Sequence, residues 1–140
     1  MPLNIMIIDQ SSLVRKHLRE MLSDFSDLCV VRDTGSISEV LNYPLLWTVD
    51  VAVLDISTCC GAVEDIITSL KQMHRSIQVI VLTDQSDVVY NRFAVSLGAD
   101  DVIDKANEFT RLPAAVFLCG ERSMHDNINE DRTAVISGSR

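Results

Sequence analysis

Four polar side chains that follow apolar runs of this sequence could together form one reactive site. Asp9, Asp55, Thr83 and Lys105 each come after such a run. If the runs are strands of a parallel sheet, these side chains converge at the carboxyl edge of the sheet, where α/β proteins bind ligands. Either acid alone is explained equally well as a helix cap. Two carboxylates, a hydroxyl and an ammonium together predict a functional site.

The rest of the chain predicts the elements that would position this site. Runs rich in Ile, Val and Leu alternate five times with segments of helical periodicity, which is typical of βα units. The predicted strands cover residues 3–8, 28–32, 49–54, 77–82 and 101–103. Three of these runs are apolar enough to be covered on both faces. We therefore expect an α/β fold, with a five-stranded parallel sheet and helices on both faces.

Apolar stripes and capping residues predict the first two helices. A single stripe for the first helix is formed by Leu13, Val14, Leu18, Met21, Leu22 and Phe25. Ser36 and Glu39 form a capping box that opens a second helix, which Pro44 ends after a short run. Beside that proline, Tyr43 and Trp47 could form a recognition patch, but burial against the second helix is the favoured interpretation.

Three further helices complete the alternation. They are predicted over residues 62–73, over residues 88–97 and from Leu112 to a stop at Gly120. Beyond residue 120 the hydrophobic density falls. We therefore expect one domain over residues 1–122 and a polar, flexible tail over residues 123–140.

Composition excludes several classes of protein. With 47% hydrophobic residues, a chain of 140 residues fits one compact domain. Its 20 acidic and 12 basic residues give a net charge of −8, which disfavours direct binding to nucleic acid. No apolar run is long enough to span a bilayer and no basic leader is present, so we expect a soluble cytoplasmic protein with no membrane contact. The four cysteines lack CxxC spacing and are expected to be reduced and mostly buried.

Four segments of the chain resemble the receiver domains of response regulators: IMIIDQSSLVR, VDVAVLDIS, VIVLTD and GADDVIDK. The resemblance extends from residue 3 to about residue 120 and includes the strand-end Asp, Asp, Thr and Lys at family-like spacing. It implies a flavodoxin-like (βα)5 fold. It also implies that Asp55 is the nucleophile that takes a phosphoryl group from the phosphohistidine of a partner. Lys105 and the Thr83 hydroxyl would stabilise the charge on the transferring group.

The resemblance further implies a Mg²⁺ ion, which family members hold with an acidic pair. Asp9 is the first acid of that pair, but Gln10 replaces the second. Asp55 and the backbone carbonyl of Ser57 would complete the ligands. A neutral amide gives up an attraction of about 4 kcal/mol for unit charges about 4 Å apart at an effective dielectric near 20. With Lys105 counted, the site carries a charge of −1 instead of the usual −2, so we expect weak Mg²⁺ binding.

Three more positions depart from the family pattern. The aromatic residue that family members couple to Thr83 is replaced by Val102, so a rotating aromatic cannot report phosphorylation. The proline that normally follows the lysine in a cis bond is replaced by Ala106, for which a cis bond would cost about 2.5 to 4 kcal/mol, so we expect a trans bond and a differently shaped loop. Asp84 occupies the place of a small residue, where it either restores negative charge or repels a phosphoryl group.

The loop after Asp55 lacks the usual Met-Pro or Leu-Pro pair and contains adjacent cysteines instead. Cys59 and Cys60 beside a phosphorylation site could act as a redox switch. Packing as small apolar residues is the favoured interpretation.

Two functions from different classes remain open. The leading hypothesis is a stand-alone receiver in two-component or phosphorelay signalling, phosphorylated on Asp55 by a histidine kinase or a histidine phosphotransfer protein. It would signal through protein contacts and would not be an enzyme in the ordinary sense. The alternative is a pseudo-receiver that binds partners without phosphorylation, motivated by Gln10, Asp84, Val102 and Ala106. A flavodoxin-like enzyme is a distant third, and a homodimer is implied by resemblance only.

Overall fold

The sheet determines where the functional edge lies. The computed structural model of the chain describes residues 2–84, 93 and 95–138, with residues 126–138 described by their backbone alone. Its strands are β1 (Leu3–Ile8), β2 (Leu28–Thr34), β3 (Val51–Asp55), β4 (Gln78–Thr83) and β5 (Asp101–Asp104). They are all parallel, in the order β2-β1-β3-β4-β5. The predicted five-stranded parallel sheet is confirmed.

Helices cover both faces of this sheet. Within the described ranges they are α1 (Ser12–Ser23), α2 (Ile37–Leu41), α3 (Val63–Met73) and α4 (Leu112–Gly138). Short 3-10 turns lie at Leu46–Thr48, Ser57–Cys59 and Phe109–Arg111. The helix predicted over residues 88–97 falls largely outside the described part of the chain.

Alternation along the strands divides the core into two layers. On β3, Ala52 and Leu54 pack in the layer that includes α2 and α3, whereas Val51 and Val53 pack in the layer that includes α1 and α4. Successive side chains of a strand point to opposite faces, so one apolar run fills both layers. This explains why β1, β3 and β4 are almost continuously hydrophobic.

The predicted stripe of α1 is only partly correct. Ser11 caps the helix by accepting a hydrogen bond from the Val14 backbone N–H, and Leu18 and Leu22 are buried. Leu13, however, is 76% exposed, because it lies in the first turn, beside the carboxyl edge of the sheet. Only half of the predicted capping box is confirmed. Ser36 accepts from the Glu39 N–H, but its own N–H donates to the Thr34 hydroxyl oxygen and not to Glu39, whose carboxylate accepts from Thr34 instead.

Two predictions about burial are wrong. Trp47 is 68% exposed, because the 3-10 turn at Leu46–Thr48 buries Leu46 and directs the tryptophan outwards. The cysteines are not mostly buried, since Cys29 and Cys60 are exposed.

The last helix does not stop at Gly120. It continues through this residue to Gly138, and Gly120 lies buried against β1. A Cβ atom at this position would overlap the side chain of Leu3, so the glycine permits close packing and does not end the helix. The division of the chain at residue 122 stays a prediction.

A double-mutant cycle tests this packing role. Gly120→Ala is expected to lower the free energy of unfolding by about 1 to 2 kcal/mol, because the new methyl group overpacks against Leu3. In a Leu3→Ala background the same change should instead stabilise the protein by up to about 1 kcal/mol, since alanine favours helix over glycine. Urea unfolding of the four proteins measures both values, and strictly additive effects would contradict the proposed contact.

Candidate functional site

The site lies at the point where the strand order reverses. β1 pairs with β2 on one side and with β3 on the other. The loops that leave β1 and β3 therefore diverge and open a crevice at their carboxyl ends. Asp9 follows β1 and Asp55 ends β3, and each is almost completely buried there.

Lys105 joins the two carboxylates. Its Nζ lies 2.7 Å from Oδ2 of Asp9 and 2.8 Å from Oδ1 of Asp55. The lysine side chain is 16% exposed, and the two aspartate side chains are only 2% and 3% exposed. The Lys105 backbone is itself fixed, because its N–H donates to the carbonyl of Thr83 at the end of β4. The predicted meeting of Asp9, Asp55 and Lys105 is confirmed as geometry, while the roles of these residues stay predictions.

The charges of Asp55 and Lys105 support each other. Burial opposes the ionisation of Asp55, but hydrogen bonds from Lys105 and Thr58 outweigh it and hold the pKa of Asp55 below its usual value. For Lys105, burial opposes the charged form, but Asp55 and Asp9 outweigh it and raise the pKa of the ammonium. Both groups are therefore charged at neutral pH.

Thr58 covers the other oxygen of Asp55. Its hydroxyl donates to Oδ2 of Asp55 at 2.7 Å and its backbone N–H donates to the same oxygen at 3.1 Å. The Ser57 hydroxyl lies 3.2 Å from Oδ2 as well. Sequence reasoning missed Thr58, although the signal was there: a hydroxyl residue replaces a usual apolar residue three positions after the aspartate.

Asp9 is oriented by its own loop. Its Oδ1 accepts a hydrogen bond from the Ser11 N–H, and Arg15 donates to its backbone carbonyl. The same arginine pairs with Asp33 on β2. These contacts leave Oδ2 of Asp9 directed at Lys105.

Some of the groups at this edge are of the kind that Mg²⁺ binds. Asp9, Asp55 and the Ser57 carbonyl offer the hard oxygens that Mg²⁺ prefers. Gln10 is exposed and has only a neutral amide to add. Both carboxylates already contact Lys105. In the part of the chain that the structure describes, no cluster of three or more His, Cys, Asp or Glu side chains is arranged to hold a metal ion.

Thr83 and Asp84 border a second cleft beside the site. Thr83 is fully buried at the end of β4, whereas Asp84 is exposed. Ser57 lines the same cleft, together with Ile56, Gly61, Val63 and Phe93. Thr83 and Asp84 thus line the same cleft. The first is predicted to stabilise a phosphoryl group, and the second is predicted to affect the charge around it.

The loop after β5 differs from the family pattern, as predicted. No cis peptide bond occurs among the described residues, and the bond that precedes Ala106 is trans. The loop is held by Asp104, whose carboxylate accepts from the Ala106 N–H and from the Asn107 side-chain amide. The position of the family's aromatic switch residue is occupied by Val102, which is buried in the core.

The first cysteine of the loop after Asp55 is an unreactive thiol. Burial, with help from the nearby Asp55 charge, raises the pKa of the Cys59 thiol to about 12. Such a thiol stays protonated and is a poor nucleophile. The interpretation as small packing residues is confirmed for Cys59, which is buried, and is wrong for Cys60, which is exposed.

Comparison with known proteins identifies the family. A model described as the response regulator receiver domain matches residues 5–117. This chain belongs to that family. Receiver domains are phosphoacceptor domains of two-component signalling and are not enzymes in the ordinary sense; they generally bind Mg²⁺ at an acidic pocket.

Solved structures agree on the fold of this receiver domain. The receiver domain of the response regulator NarL from Mycobacterium tuberculosis superposes with a TM-score of 0.75 at 18% identity, covering 86% of this chain and 97% of that one. The isolated receiver domain of RcsB from Salmonella enterica serovar Typhimurium gives 0.73 at 21% identity, covering 83% and 86%.

The curated relatives are longer than this receiver domain. The fimbriae Z protein of Escherichia coli K12 is 23% identical over 107 residues, which are 76% of this chain and 51% of the relative. The fimbriae Z protein of Salmonella typhimurium is 23% identical over 115 residues, or 82% and 55%. The chain thus spans about half the length of the curated relatives it matches. Among the described residues no helix combines the length and apolar character needed to cross a membrane.

Proposed function

We propose that this receiver domain takes a phosphoryl group on Asp55 from the phosphohistidine of a histidine kinase or a histidine phosphotransfer protein. The observation that carries the proposal is the position of the Lys105 ammonium, 2.8 Å from Oδ1 of the buried Asp55. A fixed positive charge in a site of low dielectric is what a transferring phosphoryl group requires. The signal would then pass through protein contacts.

The chemistry needs one new bond and one broken bond. A carboxylate oxygen of Asp55 attacks phosphorus, the P–N bond of the phosphohistidine breaks, and the leaving imidazole takes a proton. The product is an acyl phosphate on Asp55. Lys105 stabilises the charge that spreads over the phosphoryl oxygens, and Thr83 would donate its hydroxyl to one of them.

Mg²⁺ would assist at the same edge. Asp9, Asp55 and the Ser57 carbonyl would hold it, with Gln10 as a weak fourth contributor. When bound, the ion would neutralise part of the phosphoryl charge. Its binding is expected to be weak because the second acid of the family pair is missing.

A groove beside the site suits a protein donor. It is lined by Leu13, Val14, His17, Lys105 and Phe109, so an apolar surface leads directly to the lysine. His17 stacks on Phe109 within this lining, with ring centroids 5.0 Å apart. A similar solved structure, CheY6 of R. sphaeroides in complex with the P1 domain of CheA3, has a TM-score of 0.64 at 24% identity and covers 73% of this chain and 81% of that one. That structure shows a chain of this fold in complex with a domain of another protein.

Mass measurement after incubation with acetyl phosphate and Mg²⁺ tests the proposal. The wild-type protein is expected to gain the mass of one phosphoryl group in an acid- and base-labile linkage. Asp55→Asn should gain none, because an amide cannot attack phosphorus, while its similar size keeps the packing. An equal gain in Asp55→Asn, or no gain in either protein at high concentrations of donor and Mg²⁺, would overturn the proposal.

The second candidate is a pseudo-receiver that binds partners without phosphorylation. The contacts that favour it are those of Asp55, whose two oxygens are both occupied by groups of this chain. Two results together would select this function. Asp55→Asn would bind the partner as tightly as wild type does, and wild-type protein would bind it equally well with and without phosphorylation. A homodimer is a further proposal, which a measurement of mass in solution tests. A separate tail over residues 123–140 is another.

A further inference from the structure

Thr58 holds a position that the proposed chemistry does not use. We propose that Thr58 is a positioning residue that restrains Asp55. The Thr58 hydroxyl must leave Oδ2 of Asp55 before that carboxylate accepts a phosphoryl group or a Mg²⁺ ion. The inference rests on the proposed function of Asp55. On this proposal, the loop that follows β3 slows the phosphorylation of Asp55.

The contacts of Asp55 explain the restraint. Oδ1 is engaged by Lys105, and Oδ2 receives hydrogen bonds from both the hydroxyl and the N–H of Thr58. Ser57 adds a third donor near Oδ2. Hydrogen bonds to a carboxylate withdraw electron density from its lone pairs and occupy the directions from which an electrophile approaches. The nucleophile is therefore covered in the described conformation.

The hydroxyl of Thr58 is itself held from a second side. Its Oγ1 accepts a hydrogen bond from the Gln10 backbone N–H at 2.9 Å while it donates to Asp55. Turning the side chain away would break both bonds at once. Thr58 thereby links the loop after β1 to the loop after β3, and it is only 8% exposed.

The side chain of Thr58 serves this contact and not a helix cap. The 3-10 turn at Ser57–Cys59 receives no side-chain cap, and Thr58 lies inside the turn. The chain then passes through Cys60 in the left-handed region, with φ of 50°, and Gly61, with φ of 85°. A residue other than glycine adopts that region at a cost, so other contacts of this loop must offset it.

A pair of matched variants tests the restraint. Thr58→Val keeps the shape of the side chain but removes the hydroxyl, whereas Thr58→Ser keeps the hydroxyl. With acetyl phosphate and Mg²⁺, Asp55 attacks phosphorus, the P–O bond breaks and acetate leaves. Thr58→Val is expected to react about tenfold faster than wild type, as expected from the loss of one hydrogen bond to a charged group. Thr58→Ser should stay near the wild-type rate.

A second measurement needs no phosphorylation. Calorimetric titration should show tighter Mg²⁺ binding to Thr58→Val than to Thr58→Ser, because Oδ2 is then less occupied. If wild type is phosphorylated and Thr58→Val is not faster, the restraint is wrong and the proposed function stands. If no variant is phosphorylated, the proposed function is wrong, and equal Mg²⁺ affinities of the two variants would then overturn the restraint as well. Thr58→Ala takes the place of the valine variant if the latter does not fold.

Discussion

Lys105→Met is expected to lower the free energy of unfolding by about 3 kcal/mol, the low end of what is lost when one partner of a buried ion pair is removed. Methionine matches the lysine side chain as far as Cε and lacks only the terminal ammonium, so the main loss is of charge. Two carboxylates, each almost completely buried, would be left without the ammonium that joins them. The same variant should take up phosphate about 10²-fold more slowly, since a fixed donor to the developing charge is removed.

The stability difference between wild type and Lys105→Met should depend on pH. The pKa of Asp55 is lowered from 3.8 in the folded protein, so its contribution is complete above 3.8 and is lost as the pH falls through the folded value. The pKa of Lys105 is raised from 10.5, so its contribution is complete below 10.5 and is lost as the pH rises through the folded value. Urea unfolding should therefore show the largest stability difference between wild type and Lys105→Met in the pH range from 3.8 to 10.5.

Two control variants separate charge from packing. Adding Asp9→Asn to Lys105→Met leaves only one unpaired carboxylate and should recover part of the lost stability. Lys105→Arg keeps the charge but replaces the compact ammonium by a planar fork, so it should retain stability better than phosphoryl uptake. A Lys105→Met protein as stable as wild type at neutral pH would show that the ion pairs contribute little.

The sheet and the meeting of the site residues could be predicted from the sequence because local patterns determine them. Each buried strand is a short apolar run, and parallel strands bring their carboxyl ends to one edge wherever they pair. Asp9, Asp55 and Lys105 therefore come together although 96 residues separate the first from the last. No knowledge of side-chain contacts was needed for that step.

The remaining features depend on packing between distant segments. Gly120 had the form of a helix stop, but the neighbour that requires a glycine is Leu3, on a strand at the other end of the chain. A hydroxyl residue at position 58 departs from the family pattern, but that departure does not give the direction of the Thr58 side chain, which depends on the fold of the loop and brings it to Asp55. Leu13 matched an apolar stripe, but the end of the sheet leaves its position uncovered.

Gln10→Asp is expected to strengthen Mg²⁺ binding by about 10²-fold. This factor corresponds to part of the attraction between unit charges about 4 Å apart at an effective dielectric near 20. The change restores the second acid of the family pair and takes the net charge of Asp9, Asp55, Lys105 and position 10 from −1 to −2. Gln10 is exposed and its described contact to Thr58 is made by the backbone N–H, so the substitution should leave the fold intact.

Gln10→Asn is the matched control for this prediction. Asparagine has the length of aspartate but keeps a neutral amide, so its Mg²⁺ affinity should stay near that of wild type. Calorimetric titration of MgCl₂ into the three proteins gives the dissociation constants directly. Equal constants for the aspartate and asparagine variants would mean that position 10 does not face the ion. Tighter binding to aspartate alone would show that one missing charge accounts for the weak site, because length and shape are the same in both variants.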